Sequence, residues 1–173
     1  MTPPTLDAIH VAKGRRLPMR LVDAVEVETG KGIVGDRYHG SRHRQVTVQS
    51  QDDLDAATEI HGSPVRPEMT RRNLTISAGP VPRNPGDRIR IGPVLLEVVR
   101  VAAPCKLLDD TIGPGGQEAL RRRGGSCCRV LEGGRIALGD PVHVESPLVA
   151  VDGDRRVSLT LAVRRERERL AVE

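Results

Sequence analysis

The chain has to build its interior without phenylalanine or tryptophan, and Tyr38 is its single tyrosine. Valine, leucine, isoleucine and alanine must fill the core instead. The β-branched members of that set fit pleated, half-buried surfaces, which turns the expectation toward strands. Glycine (18 residues) and proline (13) interrupt the apolar runs often, so those strands must be short. At 173 residues and 38% hydrophobic content the chain is long enough for one domain with a real core.

Alternating and β-rich runs predict strands over residues 6–11, 21–28, 45–49 and 74–76. Residues 87–91 and 94–101 predict a hairpin across Gly92-Pro93. Short strands follow over 127–131, 135–138 and 141–145. Strands spaced this closely predict a mainly β fold with a few short helices, closed or partly closed like a barrel. Ser50 and Asp53, then Leu54, Ala57 and Ile60 at helical spacing, predict a helix over 51–61 that Gly62 and Pro64 stop. A shorter helix is expected over 117–123. Residues 148–163 read as one more hairpin, with a helix over 155–170 as the competing assignment. The expected division is a domain over 1–146 and a C-terminal extension over 147–173.

The formal charge is +4 and the isoelectric point about 9.4. Lys13, Lys31 and Lys106 are the only lysines, and the rest of the 27 basic residues are arginines, the better fork for phosphate and carboxylate. The composition argues against single-stranded nucleic acid, which needs aromatic stacking platforms, and no stretch reads as a recognition helix for duplex DNA. Three cysteines, two of them adjacent (Cys127 and Cys128), outline no disulfide framework. Met1 to Leu6 has no charged leader and no long apolar run. A reducing, cytoplasmic setting without a membrane partner is the expectation.

Three stretches carry candidate chemistry. Ala103-Pro104-Cys105-Lys106 follows the strongest predicted strand, so Cys105 should lie at a rim. A lone cysteine is commonly a small buried hydrophobe. Here Lys106 and the many arginines would offer a thiolate its counter-charge, partly offset by Asp109 and Asp110. Such a thiolate could act as nucleophile, persulfide carrier or soft-metal ligand. Protease-like Cys-His-Asn chemistry with His39 or His43 and Asn73 lacks a predicted helix N-terminus to present the sulfur. The second stretch, residues 30–44, is a glycine-rich loop carrying Arg37, His39, Arg42, His43 and Arg44. It is neither a Walker loop nor a zinc site, and it reads as a solvated basic loop or as one whose glycines let the backbone approach a ligand closely. The third is Arg71-Arg72-Asn73 at the mouth of a strand, where Asn73 could serve a local turn or the triplet could clamp an oxyanion.

Taken in order, Gly32 to Gly40, Arg44-Gln45-Val46-Thr47, Arg71-Arg72-Asn73-Leu74, Pro85-Gly86-Asp87, Pro104-Cys105 and Gly139-Asp140-Pro141-Val142 resemble the MOSC domain. That family is named for the C-terminal part of molybdenum-cofactor sulfurase. The likeness covers about residues 5–146 and is to the small stand-alone bacterial type. It implies a barrel-like β domain that binds molybdenum cofactor (molybdopterin). Cys105 would be the catalytic residue and the thiolate ligand to molybdenum. Arg37, His39, Arg44, Arg71 and Asn73 would bind the cofactor. The activity implied is a small oxidoreductase reducing N-hydroxylated compounds, with electrons from a donor protein. The alternatives are a persulfide carrier on Cys105, loaded by a cysteine desulfurase for cofactor assembly, and a non-enzymatic basic binding module. Tyr38 departs from the family, standing where many members have histidine, and Cys127-Cys128 lies outside the pattern.

Overall fold

The computed structural model describes residues 2–145, together with the backbone of residues 148–151 and 155–158. Its elements run β1 (Leu6–Val11), β2 (Arg20–Val22), β3 (Ala24–Glu28), β4 (Gly32–Ile33), β5 (Val46–Ser50) and α1 (Gln51–His61). A 3-10 turn (Pro67–Met69), β6 (Leu74–Ile76), β7 (Arg88–Ile91) and β8 (Val94–Val101) follow. Then come α2 (Leu107–Ile112), α3 (Gly116–Ala119), β9 (Ser126–Glu132), β10 (Gly134–Ala137) and β11 (Val142–Glu145). A hairpin of β12 (Leu148–Val151) and β13 (Arg155–Ser158) is the last part described.

Eight strands form one sheet in the order β11-β7-β8-β9-β5-β6-β1-β2, and β10-β3-β4 form a second. The large sheet curls until the segment before β11 meets the entry to β1. There Thr5 bridges Pro141, and the Leu6 amide donates to the Asp140 carbonyl at 2.9 Å. It does not close into a barrel: β11 and β2 remain its edges. One pairing is parallel, β5 with β6, and α1 is the crossover that such a pairing requires.

Alternation assigns the two faces of the sheet. Val46 and Val48 of β5, Leu74 and Ile76 of β6, and Cys128 and Val130 of β9 point into one aliphatic core with Leu6, Ile9, Leu96 and Ile136. Each fully buried isoleucine or leucine contributes roughly 1.5–3 kcal/mol, and such residues replace the missing aromatics. The opposite face is covered as well, by α1, α2 and α3, whose own cluster contains Leu54, Ala57, Leu108 and Leu120. Thr47, Gln49, Asn73 and Thr75 on that face are buried and polar beside the buried Cys127, and they bond in pairs, Thr47 with Asn73 and Gln49 with Thr75. Gln49 Nε2 donates to Thr75 Oγ1 at 3.0 Å, and Thr70 Oγ1 donates to Gln49 Oε1 at 2.7 Å.

Helix α1 has the predicted bounds. The Ser50 hydroxyl accepts from the Asp52 amide at 3.2 Å, and Gly62, at φ 82°, closes the last turn. The strand expected over 21–28 breaks at Asp23, so that β2 joins the large sheet and β3 the small one; the Asp23 carbonyl accepts from Leu138 instead. The helix expected over 117–123 is four residues long and continues as turns. The hairpin expected near the C-terminus is present over 148–158, with Leu148 opposite Ser158. The competing helix is absent from 155–158, and its remaining residues lie outside those described. No helix among the described residues is long and apolar enough to cross a membrane.

Candidate functional site: an arginine-lined cleft holding Cys105

A cleft of about 400 Å³ collects side chains from four separate stretches. Arg15 and Arg16 come from the loop after β1, and Arg37, Tyr38 and Arg44 from the glycine-rich loop between β4 and β5. Arg71 stands at the mouth of β6, and Cys105 and Leu107 lie at the start of α2. Among the described residues, five guanidinium groups and one thiol thus share one lining, and no carboxylate is part of it.

The glycine loop is anchored by Asp36, whose side chain is fully buried. Its Oδ1 accepts from the Ala12 amide at 3.0 Å and from Arg37 Nη1 at 3.3 Å, and its Oδ2 accepts from the Tyr38 amide at 3.1 Å. Arg37 in turn donates through Nη2 to the Arg71 carbonyl at 3.2 Å. The guanidinium carbons of Arg37 and Arg44 lie 4.5 and 4.4 Å from the centroid of the Tyr38 ring. At that range the ring quadrupole attracts both cations and holds them together against their mutual repulsion.

Arg71 is buried and has a left-handed backbone, φ 63°. A side chain tolerates that conformation only at a cost of about 1–2 kcal/mol. Its Nη1 donates to the Leu17 carbonyl at 2.7 Å, while its Nη2 is buried without a partner among the described residues. Burial first, then the neighbouring positive charge of Arg37, lowers the Arg71 pKa from the ordinary guanidinium range. Arg44 likewise has a buried Nε with no partner among the described residues. Buried N–H donors left unpaired among like charges are what an anion would satisfy.

Arg72, the next residue, points the other way and acts as scaffold. It is buried with no carboxylate beside it. Its Nε donates to the Gly124 carbonyl at 2.8 Å, Nη2 to the Ala102 carbonyl at 3.0 Å and Nη1 to the Thr70 carbonyl at 3.3 Å. Desolvation pushes its pKa down to about 10. These bonds hold the chain where it leaves β8 for Pro104-Cys105. Gly124 and Gly125 allow the approach: a Cβ on Gly124 would lie 2.2 Å from the Ala102 carbonyl oxygen, and one on Gly125 would lie 2.0 Å from that of Val48.

Cys105 is exposed, whereas Cys127 and Cys128 are buried. Adjacent strand residues face opposite ways: Cys128 is in the aliphatic core, where burial pushes its thiol pKa upward, and Cys127 pairs in register with Thr47. Directly after Cys105 begins a helix that the sequence reading omitted; the Leu108 amide donates to the Cys105 carbonyl at 2.9 Å. That turn has no side-chain cap on Lys106 to announce it.

Of the six residues singled out from the sequence, Cys105, Arg37, Arg44 and Arg71 line the cleft together. His39 and Asn73 are bonded elsewhere. His39 Nε2 lies 2.8 Å from Glu28 Oε2 on the outer side of the loop. This bond, and that of Lys31, lowers the Glu28 pKa from the ordinary carboxylate range. Asn73 is buried: its Oδ1 accepts from the Thr47 amide at 3.1 Å and hydroxyl at 3.0 Å, and its Nδ2 donates to the His10 carbonyl at 3.1 Å. It braces the chain between Arg71 and β6. Arg15 and Arg16 are cleft residues that the sequence analysis did not single out. Nothing local marks them, because a contact made by folding alone brings residue 16 beside residue 71.

Fold and cleft together define a curled β domain that presents a thiol beside a set of arginines. The chain belongs to the MOSC domain family, whose sequence pattern matches residues 35–143. Related proteins of that family bind molybdenum cofactor. Its fold is similar to that of the YuaD protein from Bacillus subtilis, with a TM-score of 0.74 at 19% identity over 83% of this chain and 96% of that one. YiiM from Geobacillus stearothermophilus gives a TM-score of 0.66 at 20% identity over 92% and 82% of the two chains. YiiM from Escherichia coli gives 0.64 at 20% identity over 87% and 73%. No curated protein matches the chain significantly.

Proposed function

We propose that the cleft binds molybdenum cofactor and that the protein is a small oxidoreductase acting on N-hydroxylated compounds. The observation that carries this reading is the meeting of exposed Cys105 with arginines whose buried donors, Arg71 Nη2 and Arg44 Nε, have no partner among the described residues. These residues fit the group. Arg37, Arg44 and Arg71 would hold its phosphate through forked, charge-assisted bonds. Cys105 would offer the metal a thiolate, the soft and charged donor such a centre prefers. When bound, the cofactor supplies two-electron redox chemistry, and the protein supplies placement and counter-charge.

The net reaction takes an N–OH group to N–H. Two electrons and two protons enter and one water leaves. In this reading a separate redox protein supplies the electrons. Protein purified from a host that makes the cofactor should carry molybdenum and pterin in a ratio near one to one, and Arg71→Ala should lose most of both. Folded wild-type protein containing neither would contradict the reading.

A second reading is favoured by the exposure of Cys105 together with the burial of the other two cysteines. A persulfide on Cys105 would have no neighbouring exposed thiol among the described residues to reduce it. Incubation with a cysteine desulfurase and cysteine should then add one sulfur atom by mass, and Cys105→Ser should abolish the gain.

A further inference from the structure

The cleft has more positive charge than one phosphate monoester requires. Five arginines among the described residues line it, and behind them the Asp36 carboxylate is bonded to Arg37. A phosphate dianion on Arg37, Arg44 and Arg71 would leave Arg15 and Arg16 unmatched. Both are exposed, and among the described residues neither side chain has a hydrogen bond or an ion pair.

Their placement is nonetheless specified. Arg16 has φ 62°, a left-handed backbone that a side-chain-bearing residue adopts at a cost. Only three non-glycine residues among those described do so, and two of them, Arg16 and Arg71, line this cleft. The loop is also clamped: the Leu17 amide donates to the Gly14 carbonyl at 3.3 Å, and the Leu17 carbonyl accepts from Arg71. Arg71 thus ties the inner arginines to the rim that carries the outer pair.

We propose that Arg15 and Arg16 form a second anion subsite, which recognises a phosphate or carboxylate group on the substrate itself. The proposal rests on the cofactor reading above and extends it to substrate class: anionic N-hydroxylated compounds are preferred over neutral ones. A forked arginine pair discriminates an oxyanion from hydrogen by charge-assisted bonds that water at an open rim only partly replaces.

The test compares a neutral aryl amidoxime with the same compound bearing a para-phosphonate or a para-carboxylate, on cofactor-loaded protein. The KM of at least one charged compound should be roughly 10- to 100-fold lower than that of the neutral one. Arg15→Gln/Arg16→Gln should lose that preference and keep wild-type molybdenum content, and Arg15→Lys/Arg16→Lys should recover part of it. The two charged compounds tell whether phosphate or carboxylate is the better fit. An absent preference, a preference that survives in the glutamine variant, or loss of molybdenum from that variant would overturn the proposal. If wild-type protein carries no molybdenum, the cofactor reading fails separately. Calorimetric binding of the charged amidoxime then decides the subsite: dependence on Arg15 and Arg16 sustains it, and indifference to them overturns it.

Discussion

Arg72 Nη2 donates to the carbonyl of Ala102 at 3.0 Å, three residues before Cys105, although no carboxylate accompanies the buried guanidinium. A buried cation satisfied only by main-chain carbonyls is an expensive brace, and it is used where the chain turns from β8 toward Cys105. Arg72→Met would strip the donor from the carbonyls of Ala102, Gly124 and Thr70. The relieved desolvation of the guanidinium offsets part of that loss, so a net destabilisation of about 2–4 kcal/mol is expected in denaturant unfolding.

The three cysteines should separate by reactivity. Cys105 is exposed and the other two are buried. A thiol reagent should modify one cysteine per native chain promptly and all three after denaturation. In Cys105→Ser the prompt reaction should vanish. Two prompt thiols in the native protein would contradict the burial of Cys127.

Asp36 should matter more to the cleft than its position behind it suggests. It accepts from the Ala12 and Tyr38 amides and pairs with Arg37, all away from solvent. Asp36→Ala leaves that cation and two amides unmatched, a loss of roughly 3–5 kcal/mol in unfolding free energy. The milder Asp36→Asn should retain the fold and weaken phosphate binding, because Arg37 loses its orienting charge.

His10 predicts an acid-side instability. It is buried and its Nδ1 has no partner, and desolvation lowers its pKa below the ordinary 6.5, only partly offset by Glu68. The folded state therefore holds His10 neutral where the unfolded chain takes up a proton. Stability from this group is complete above pH 6.5 and declines as pH falls toward the depressed value, by at most about 1.4 kcal/mol per pH unit. His10→Gln should flatten that part of the stability-versus-pH curve.

Local pattern revealed those elements whose partners are close in sequence. Helix α1 has a serine cap, a helical apolar stripe and a glycine stop, and the β7–β8 hairpin has its Gly92-Pro93 turn; both were legible. The break at Asp23 was not, because it depends on β2 and β3 joining different sheets. Helix α2 lacks a cap and escaped notice beside Cys105. In the site, Arg37, Arg44, Arg71 and Cys105 could be singled out by motif. The structural use of Asn73 and His39, and the presence of Arg15 and Arg16, depend on contacts between residues far apart in the chain.

The central claim is that Cys105 gives its sulfur to molybdenum in the arginine cleft. X-ray absorption at the molybdenum edge, on loaded wild-type and Cys105→Ser protein, addresses it directly. The account predicts one fewer sulfur scatterer at molybdenum in the serine variant than in wild type. Equal sulfur counts in the two proteins, at equal molybdenum content, would contradict it.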